Sequence, residues 1–360
     1  MSYIIIDSIG SVSALGGTET TILHSLEEKK CRYKTISLNK KEYPIIPLHV
    51  EAENELKELL QQYPKYKKSD RTAQLAILAS SKCLSKVKFL ENTEWVINAG
   101  SSRGATGLWE NFHTEFIKHH TVPLKSSPLT TLGNISTHVA QHQKLLGFQI
   151  DHSITCSSGL QALANAYAWL RSGLANHFLA IGTEAPLTDF TIAQMVALGI
   201  YSTEIDEFPC KPCQFIIQTP LKTKNWPKGR ADETEKGEFT LVNELFEVEV
   251  QRRNLKFSEE SRNKANTFVL GEAAVSIALV NKNQPSIGEV YLAGIGTGSE
   301  TIPSPTAISP YGDAFRLSMS KAIESAGLQP EEINMIIPHS PGTYQGDFAE
   351  YNAIRYIPGL

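Results

Sequence analysis

FQIDHSITCSSGL, residues 148–160, joins an apolar strand to a helix of small residues and places a cysteine at the junction. Residues 148–154 alternate apolar and polar side chains as a half-buried strand does. After Cys156, apolar residues recur at helical spacing from Leu160 to Leu170. The sulfur is therefore predicted to lie at a helix N-terminus, where free N–H groups and the helix dipole favour a thiolate and can bind an oxyanion.

Cys156 has a second interpretation, because a free cysteine is more often a small core residue than a nucleophile. Cys83 lies in an apolar helical run and is predicted to be such a core residue. Cys210 and Cys213 form a single C-x-x-C between prolines, which argues against a zinc ribbon and against a redox-active helix start. No metal site is predicted.

Composition narrows the class of protein without naming a function. The chain has 360 residues, 41% hydrophobic and 20% charged, with a net charge of -4, as is typical of a soluble globular protein. This charge gives no support for a nucleic-acid partner. The sequence contains no apolar segment of membrane-spanning length and no signal peptide at residues 1–7, and its five cysteines fit a reducing compartment. We therefore expect a cytoplasmic protein.

Strand-like and helix-like segments alternate along the chain. Strands are predicted at residues 3–8, 95–99, 148–154, 178–182, 275–280, 289–295 and 335–337. Helices are predicted at residues 18–28, 74–90, 105–117, 133–146, 157–170 and 312–326. This order predicts an α/β fold in which a mixed sheet packs between helices.

Changes in composition along the sequence also suggest that the chain is divided into parts. Residues 1–190 are predicted to form one half, which contains Cys156, and residues 266–360 a second half. Residues 191–265 connect them and include a charged, apolar-poor stretch at 214–261 that is predicted to be a surface insertion. Strand, helix and strand recur in both halves, which hints at an internal duplication.

A second group of reactive side chains follows the predicted strand at residues 335–337. The sequence there is PHSPGTYQGDFAE, residues 338–350, and it places His339 in a loop at the end of a strand. Catalytic and ligand-binding residues of α/β folds commonly lie at the carboxyl ends of the strands. Asp347 and Glu350, three residues apart, share a helix face and could orient a neighbouring group or pair with a buried cation. A lone histidine is more often structural, but here it accompanies Cys156 in the other half.

Together these segments resemble the β-ketoacyl-acyl carrier protein synthases of the thiolase superfamily. The nucleophile motif Cys-x-Ser-Gly-x-x-Ala is matched by Cys156, Ser158, Gly159 and Ala162. The histidine motif His-Gly-Thr-x-Thr-x-x-Gly-Asp-x-x-Glu is matched by His339, Thr343, Gly346, Asp347 and Glu350. Residues 182–185, Gly-Thr-Glu-Ala, resemble the last four positions of the family's Gly-x-x-Glu-Ala, and residues 269–274 its Val-x-Gly-Glu-Gly-Ala. The four motifs follow the family's order and span most of the chain.

The resemblance implies a thiolase-like layered α-β-α-β-α fold built from two duplicated halves. It also implies that Cys156 accepts an acyl group from an acyl carrier thioester, with the Cys156 backbone N–H in the oxyanion hole. His339 would assist malonyl decarboxylation and Claisen condensation, supported by Thr343, Asp347 and Glu350. No cofactor is expected beyond the phosphopantetheine of the acyl carrier protein. The pathway would be fatty acid or polyketide-type biosynthesis.

The sequence departs from the family pattern at two places. Ser340 and Pro341 stand where the family usually has Gly and Thr. The family's Lys, second active-site histidine and Gly-rich loop, which lie further along, cannot be assigned to any residue up to Leu360. We therefore expect condensation to be impaired unless a second histidine is supplied.

Two alternatives from other classes remain open. One is a non-catalytic partner subunit of a heterodimeric synthase, similar to a chain length factor, although such subunits commonly lack the nucleophile. The other is a thiolase-like acyltransferase or thioester hydrolase that acts on acyl-coenzyme A. The match in the histidine loop favours the synthase.

The resemblance also suggests partners. The family is generally dimeric, so residues 149–154 could pair across a twofold axis in a homodimer or heterodimer. Basic residues could meet an acidic carrier protein, although a solvated basic face is the simpler interpretation; they are Lys65, Lys67, Lys68 and Arg71. Phe190 and Met195 are candidates for the lining of an acyl pocket.

Overall fold

The computed structural model describes residues 2–87, 93–130, 132, 134–212, 266–302 and 307–360. The predicted insertion at 214–261 and Cys213 lie outside these residues. Strands are β1 (Tyr3–Val12), β2 (Lys34–Leu38), β3 (Lys41–Ile45), β4 (Val96–Gly100), β5 (Gln149–His152), β6 (His177–Glu184) and β7 (Ala273–Lys282). Helices are α1 (Glu19–Glu28), α2 (Val50–Gln62), α3 (Arg71–Leu84), α4 (Thr106–His119), α5 (Ser126–Thr130), α6 (Asn134–Gln143), α7 (Ser158–Ser172), α8 (Asp189–Ala197), α9 (Asp313–Ala326) and α10 (Tyr344–Arg355). Two 3-10 turns cover Pro64–Lys68 and Pro330–Glu332.

A five-stranded mixed sheet organises the described chain, in the order β1-β7-β6-β4-β5. Strands β4, β5 and β6 are parallel, whereas β7 runs antiparallel to both β1 and β6. The parallel strands bring the residues that follow β4, β5 and β6 to one edge of the sheet. The turn that carries Cys156 lies at this edge.

Helices cover both faces of the sheet, and the central strand β4 is accordingly buried along its whole length. Ile97, Ala99 and Leu179 face α3, which is buried along most of its length. Val96, Phe178 and Ala180 point to the other face and pack against α7. This confirms the prediction of a mixed sheet between helices.

The helix starts follow from local chemistry. Thr18 caps α1, as predicted, by accepting a hydrogen bond from the Thr21 backbone N–H. Helix α3 begins earlier than predicted because the Asp70 carboxylate caps it through the Thr72 N–H at 2.8 Å. The hairpin of β2 and β3 was not predicted.

Two predicted strands are wrong. Residues 289–295 form only an isolated bridge between Tyr291 and Ile5, with hydrogen bonds from Ile6 N to Val290 O and from Leu292 N to Ile4 O. Residues 335–337 belong to no ladder among the described residues, and Ile337 is 87% exposed. Both segments are apolar, but a strand also needs a hydrogen-bonding neighbour along its length. Residues 273–282, assigned to the second half, form β7 within the same sheet as β4, β5 and β6.

Candidate active site

Cys156 lies in the turn between β5 and α7, two residues before the helix begins at Ser158, and its side chain is exposed. The preceding residue, Thr155, has a φ of +44°, in the left-handed region. A β-branched residue rarely adopts this conformation, which costs on the order of 1–3 kcal/mol. The turn must therefore be held by other contacts.

Ser158 supplies these contacts. Its hydroxyl accepts a hydrogen bond from the Ile154 N–H at 2.8 Å and donates one to the Thr155 carbonyl at 2.7 Å. The Ser158 side chain is thus buried inside the turn that it closes. At the back of the turn, Gly159 approaches Gly182 of β6 so closely that a Cβ on Gly182 would lie 3.3 Å from the Gly159 Cα. The small residues of the cysteine motif therefore let α7 start directly against the sheet.

His339 lies in a loop that two buried carboxylates hold through its backbone. Glu350 accepts hydrogen bonds from the N–H groups of His339 at 2.6 Å and Ser340 at 2.7 Å. Asp347 accepts one from the Gly342 N–H at 3.0 Å. The acidic pair thus orients the histidine loop, which was one of the two roles predicted for it.

The remaining residue of the predicted set is Thr343. It is the N-cap residue of α10, and its carbonyl accepts from the Asp347 N–H at 2.9 Å. Its hydroxyl packs over Gly346, where a Cβ would lie only 2.6 Å away. Thr343 therefore helps to fix the start of α10, on which Asp347 and Glu350 stand.

The two halves of the site meet where the side chains of Cys156 and His339 interact. Hydrogen bonding to His339 is the main reason why the pKa of the Cys156 thiol lies below its ordinary value, although partial desolvation and the nearby Glu184 carboxylate act in the opposite direction. The same interaction raises the pKa of His339, aided by the charges of Cys156, Glu350 and Asp347 and opposed by burial. Both shifts act in the direction of a thiolate next to an imidazolium, the state in which a cysteine is nucleophilic.

Glu184, from the third motif, stabilises the loop that follows β4. Its carboxylate accepts from the Ser101 hydroxyl at 3.1 Å, the Ser102 N–H at 2.6 Å and the Arg103 N–H at 3.2 Å. Burial raises its pKa despite these bonds. The loop is tied to the cysteine turn, because the Ser153 hydroxyl donates to the Ser102 carbonyl at 2.9 Å.

Several residues near the sheet edge were not singled out from the sequence: Asn98, Ser101, Ser102, His152 and Asn165. They are polar residues in strands, loops or helix faces whose partners are distant in sequence. Ser158 differs from them, because the sequence marks it as the third residue of the Cys-x-Ser-Gly motif.

Other predicted residues lie in different environments. Arg71 forms ion pairs with Glu272 at 2.7 Å and Glu53 at 2.6 Å, while the suggested contact with a carrier protein stays a prediction. Met195 packs with Ile192 and the aromatic residues around it in a separate core cluster, while the Phe190 side chain is exposed.

The other cysteines of the described ranges, Cys31, Cys83 and Cys210, are core or partly buried residues. Cys83 is buried against Ser8, and burial raises the pKa of its thiol, as the prediction of a core cysteine requires. Burial likewise raises the pKa of Cys210 to about 11. Among the described residues, no group of three or more potential ligands could hold a metal ion.

Comparisons with known proteins identify the family. The family model described as "Beta-ketoacyl synthase, N-terminal domain" matches residues 3–214, and that described as "Beta-ketoacyl synthase, C-terminal domain" matches residues 290–359. The chain therefore belongs to the β-ketoacyl synthase family. Within the described part of the chain, no helix is long and apolar enough to cross a membrane.

Individual relatives are distant. A 3-oxoacyl-[acyl-carrier-protein] synthase 2 of Staphylococcus aureus is 24% identical over 311 residues, which are 80% of this chain and 62% of the relative. A putative mitochondrial 3-oxoacyl-[acyl-carrier-protein] synthase of Schizosaccharomyces pombe is 22% identical over 216 residues, covering 58% and 39% of the two chains. The chain thus spans less than two thirds of the length of these curated relatives.

Solved structures show the same fold. A β-ketoacyl synthase from Burkholderia phymatum STM815 has a TM-score of 0.72 at 20% identity, covering 100% of this chain and 79% of that one. A ketosynthase, ApeO, in complex with its chain length factor, ApeC, from Xenorhabdus doucetiae has a TM-score of 0.69 at 18% identity, covering 99% and 76%. These similarities confirm the predicted thiolase-like layered α/β fold.

Proposed function

We propose that this chain is a β-ketoacyl synthase-type acyltransferase of fatty acid or polyketide-type biosynthesis, in which Cys156 accepts the acyl group from an acyl carrier thioester. The observation that carries the proposal is the Cys156 thiol at the junction of β5 and α7, where its interaction with the His339 side chain lowers the pKa of the thiol. The two side chains supply a nucleophile and a proton carrier at one point, and family membership supplies the expected class of substrate.

The acylation step uses these two side chains. The Cys156 thiolate attacks the thioester carbonyl, and the oxygen gains a negative charge that we expect the Cys156 backbone N–H to stabilise. The bond to the phosphopantetheine sulfur then breaks, and the leaving thiolate takes the proton held by His339. An S-acyl Cys156 and a free carrier thiol result, and no cofactor is required.

Condensation would follow on the acyl-enzyme. The malonyl group loses carbon dioxide, and the enolate attacks the acyl carbon and displaces the Cys156 thiolate. His339 would polarise the malonyl thioester carbonyl during this step. The loss of one hydrogen-bond donor to such an oxyanion lowers the rate by about 10²–10³. Condensation therefore depends more strongly than acylation on hydrogen-bond donors besides His339.

Intact mass spectrometry after incubation with an acyl carrier thioester tests the proposal. We expect an adduct of the acyl mass on the wild-type protein and on Cys31→Ala, which removes a half-buried thiol, but none on Cys156→Ala. An absence of adduct on folded wild-type protein contradicts the proposal. Addition of malonyl carrier protein then separates acylation alone from condensation, because only condensation releases a β-ketoacyl product.

Two other functions are tested by the same preparation. A chain length factor-like role is suggested by the fold similarity to the ApeO–ApeC complex. That role predicts that the chain changes the product length of a separate ketosynthase, and unchanged products would exclude it. Turnover of acyl-coenzyme A without a malonyl substrate would instead identify a thiolase-like enzyme.

The proposed setting is a cytoplasmic dimer that meets an acyl carrier protein. Among the described strands, β5 lies at the end of the sheet order, which supports pairing of its outer edge with a second copy or a related subunit. Light scattering of the purified protein, alone and with a ketosynthase, measures the oligomeric state.

A further inference from the structure

A chain of hydrogen-bonded side chains lies behind the cysteine turn and connects α7, β4 and β5. Gln161 donates to Asn165 at 2.9 Å, and Asn165 donates to the buried Asn98 at 2.7 Å. Asn98 contacts His152 Nδ1 at 2.9 Å. The other ring nitrogen, His152 Nε2, lies 2.9 Å from the Ser158 carbonyl oxygen. The network therefore ends at the first residue of α7.

The hydrogen-bond partners of the two His152 ring nitrogens fix the tautomer of His152. A carbonyl oxygen can only accept, so the nitrogen facing Ser158 must carry the proton. The Asn98 amide nitrogen also donates to the Ile150 carbonyl at 3.1 Å, while its oxygen accepts from Asn165, so the amide cannot be reversed. Asn98 therefore donates to His152 Nδ1, which must accept. The two constraints agree on the neutral Nε2–H tautomer.

The Ser158 carbonyl lies at a closely packed point between the turn and β4. It lies so close to β4 that a Cβ on Gly100 would be 2.1 Å from its oxygen. The side chain of the same residue closes the turn through Ile154 and the strained Thr155. His152 thus holds, from the strand, the residue that fixes the backbone on both sides of Cys156.

We propose that His152 is a positioning residue, which directs the Cys156 thiol toward His339 by holding the Ser158 carbonyl with its Nε2–H. The proposal rests on the proposed function for its effect on acyl transfer, but its effect on the thiol is independent of any acyl substrate. Asn98 acts one step further back, because it keeps the proton on the correct nitrogen of His152.

Two substitutions separate positioning from simple packing. His152→Gln keeps an amide N–H that can reach the same carbonyl, whereas His152→Leu fills similar space without a donor. Alkylation of Cys156 by iodoacetamide, followed from pH 5 to pH 10 by mass spectrometry, reports the thiolate directly. We expect His152→Leu to shift the profile to higher pH and to slow acyl transfer by about 10- to 100-fold. We expect His152→Gln to stay near wild type in both measurements.

The result that overturns the proposal is an alkylation profile of His152→Leu equal to that of wild type. Equal impairment of the Gln and Leu variants also overturns it, because it would indicate a packing role only. If His152→Leu does not fold, as judged by circular dichroism and urea unfolding, Asn98→Leu takes its place, since it removes the donor that holds His152 Nδ1, and a wild-type alkylation profile for it overturns the proposal. Absence of acyl transfer in the wild-type protein would contradict the proposed function, while the alkylation profiles would still decide the role of His152.

Discussion

The Glu350 carboxylate accepts a hydrogen bond of 2.6 Å from the backbone N–H of His339. Its other oxygen accepts from Ser340, whose φ of +36° is unusual for a residue other than glycine. A nearly buried carboxylate thus holds the main chain of the histidine loop from α10. The imidazole of His339 is left available for Cys156, which is why an acidic residue eleven positions along the chain affects the chemistry of the thiol.

Glu350→Gln tests this arrangement. The amide has one acceptor oxygen for two N–H groups, and its own NH2 would face a donor. We expect the free energy of unfolding to fall by about 1–3 kcal/mol, measured by urea unfolding. We also expect the alkylation profile of Cys156 to move to higher pH as His339 is displaced. Glu324→Gln, at an exposed position of α9, is the control and should change neither measurement. Unchanged stability and alkylation in Glu350→Gln would contradict the role.

His339 itself should control the reactivity of Cys156. His339→Ala removes the hydrogen bond that is the main cause of the lowered thiol pKa. The thiolate should therefore appear only at higher pH, so alkylation near pH 7 should slow, while the rate at high pH should be unchanged. Acyl transfer should fall by about 10²–10⁴, the usual contribution of a general acid–base partner.

The control for His339→Ala is His24→Ala, which removes an exposed histidine of α1. Its alkylation profile should overlay that of the wild type. The interpretation fails if His339→Ala also keeps the wild-type profile, because the thiol pKa would then have another cause.

Local sequence patterns predicted much of the sheet edge. The strand at 148–154, the small residues after Cys156 and the acidic pair at Asp347 and Glu350 all carry their signal within a few residues. Period-2 and helical spacing are local properties, so β4, β5, β6, α7 and α9 were found with boundary shifts of a few residues.

Contacts between distant segments could not be predicted in the same way. Residues 335–337 have strand-like composition, but pairing depends on a neighbour that composition does not specify. Asn98 and His152 look like isolated polar residues in two strands, and only the parallel pairing of β4 with β5 makes them partners. Arg71 looked like part of a basic surface because Glu272 lies far away in sequence.

Arg71 should be important for stability. Its guanidinium makes two hydrogen bonds to Glu272, at 2.7 and 2.9 Å. Only 6% of the Glu272 side chain is exposed, so Arg71→Met leaves a buried carboxylate without its partner. We expect a loss of about 3–5 kcal/mol in the free energy of unfolding.

Glu53→Gln is the matched comparison, because the Glu53 side chain is 31% exposed and contacts the same guanidinium. It should cost about 1 kcal/mol or less. Urea unfolding of both variants decides the point. A loss for Arg71→Met no larger than that for Glu53→Gln would mean that Glu272 is stabilised by other groups.

Asp151, on the edge strand β5, should make stability depend on pH. Burial raises the pKa of its carboxyl to about 7, even though both oxygens accept hydrogen bonds from Ser136. The unfolded value is near the ordinary 3.8. Between these two values the unfolded chain releases a proton that the folded chain retains, so the free energy of unfolding falls as pH rises from about 4 to about 7 and is then level.

Asp151→Asn removes this titration and keeps both contacts, since its oxygen can accept from the Ser136 N–H and its amide can donate to the hydroxyl. At 1.36 kcal/mol per pKa unit, the variant should gain on the order of 4 kcal/mol at most over the wild type between pH 4 and pH 8. Urea unfolding at several pH values measures the difference. Asp189→Asn, at an exposed position in the first turn of α8, should leave the slope unchanged. Equal slopes for Asp151→Asn and the wild type would show that Asp151 is already ionised in the folded protein, so that its contacts with Ser136 outweigh its burial.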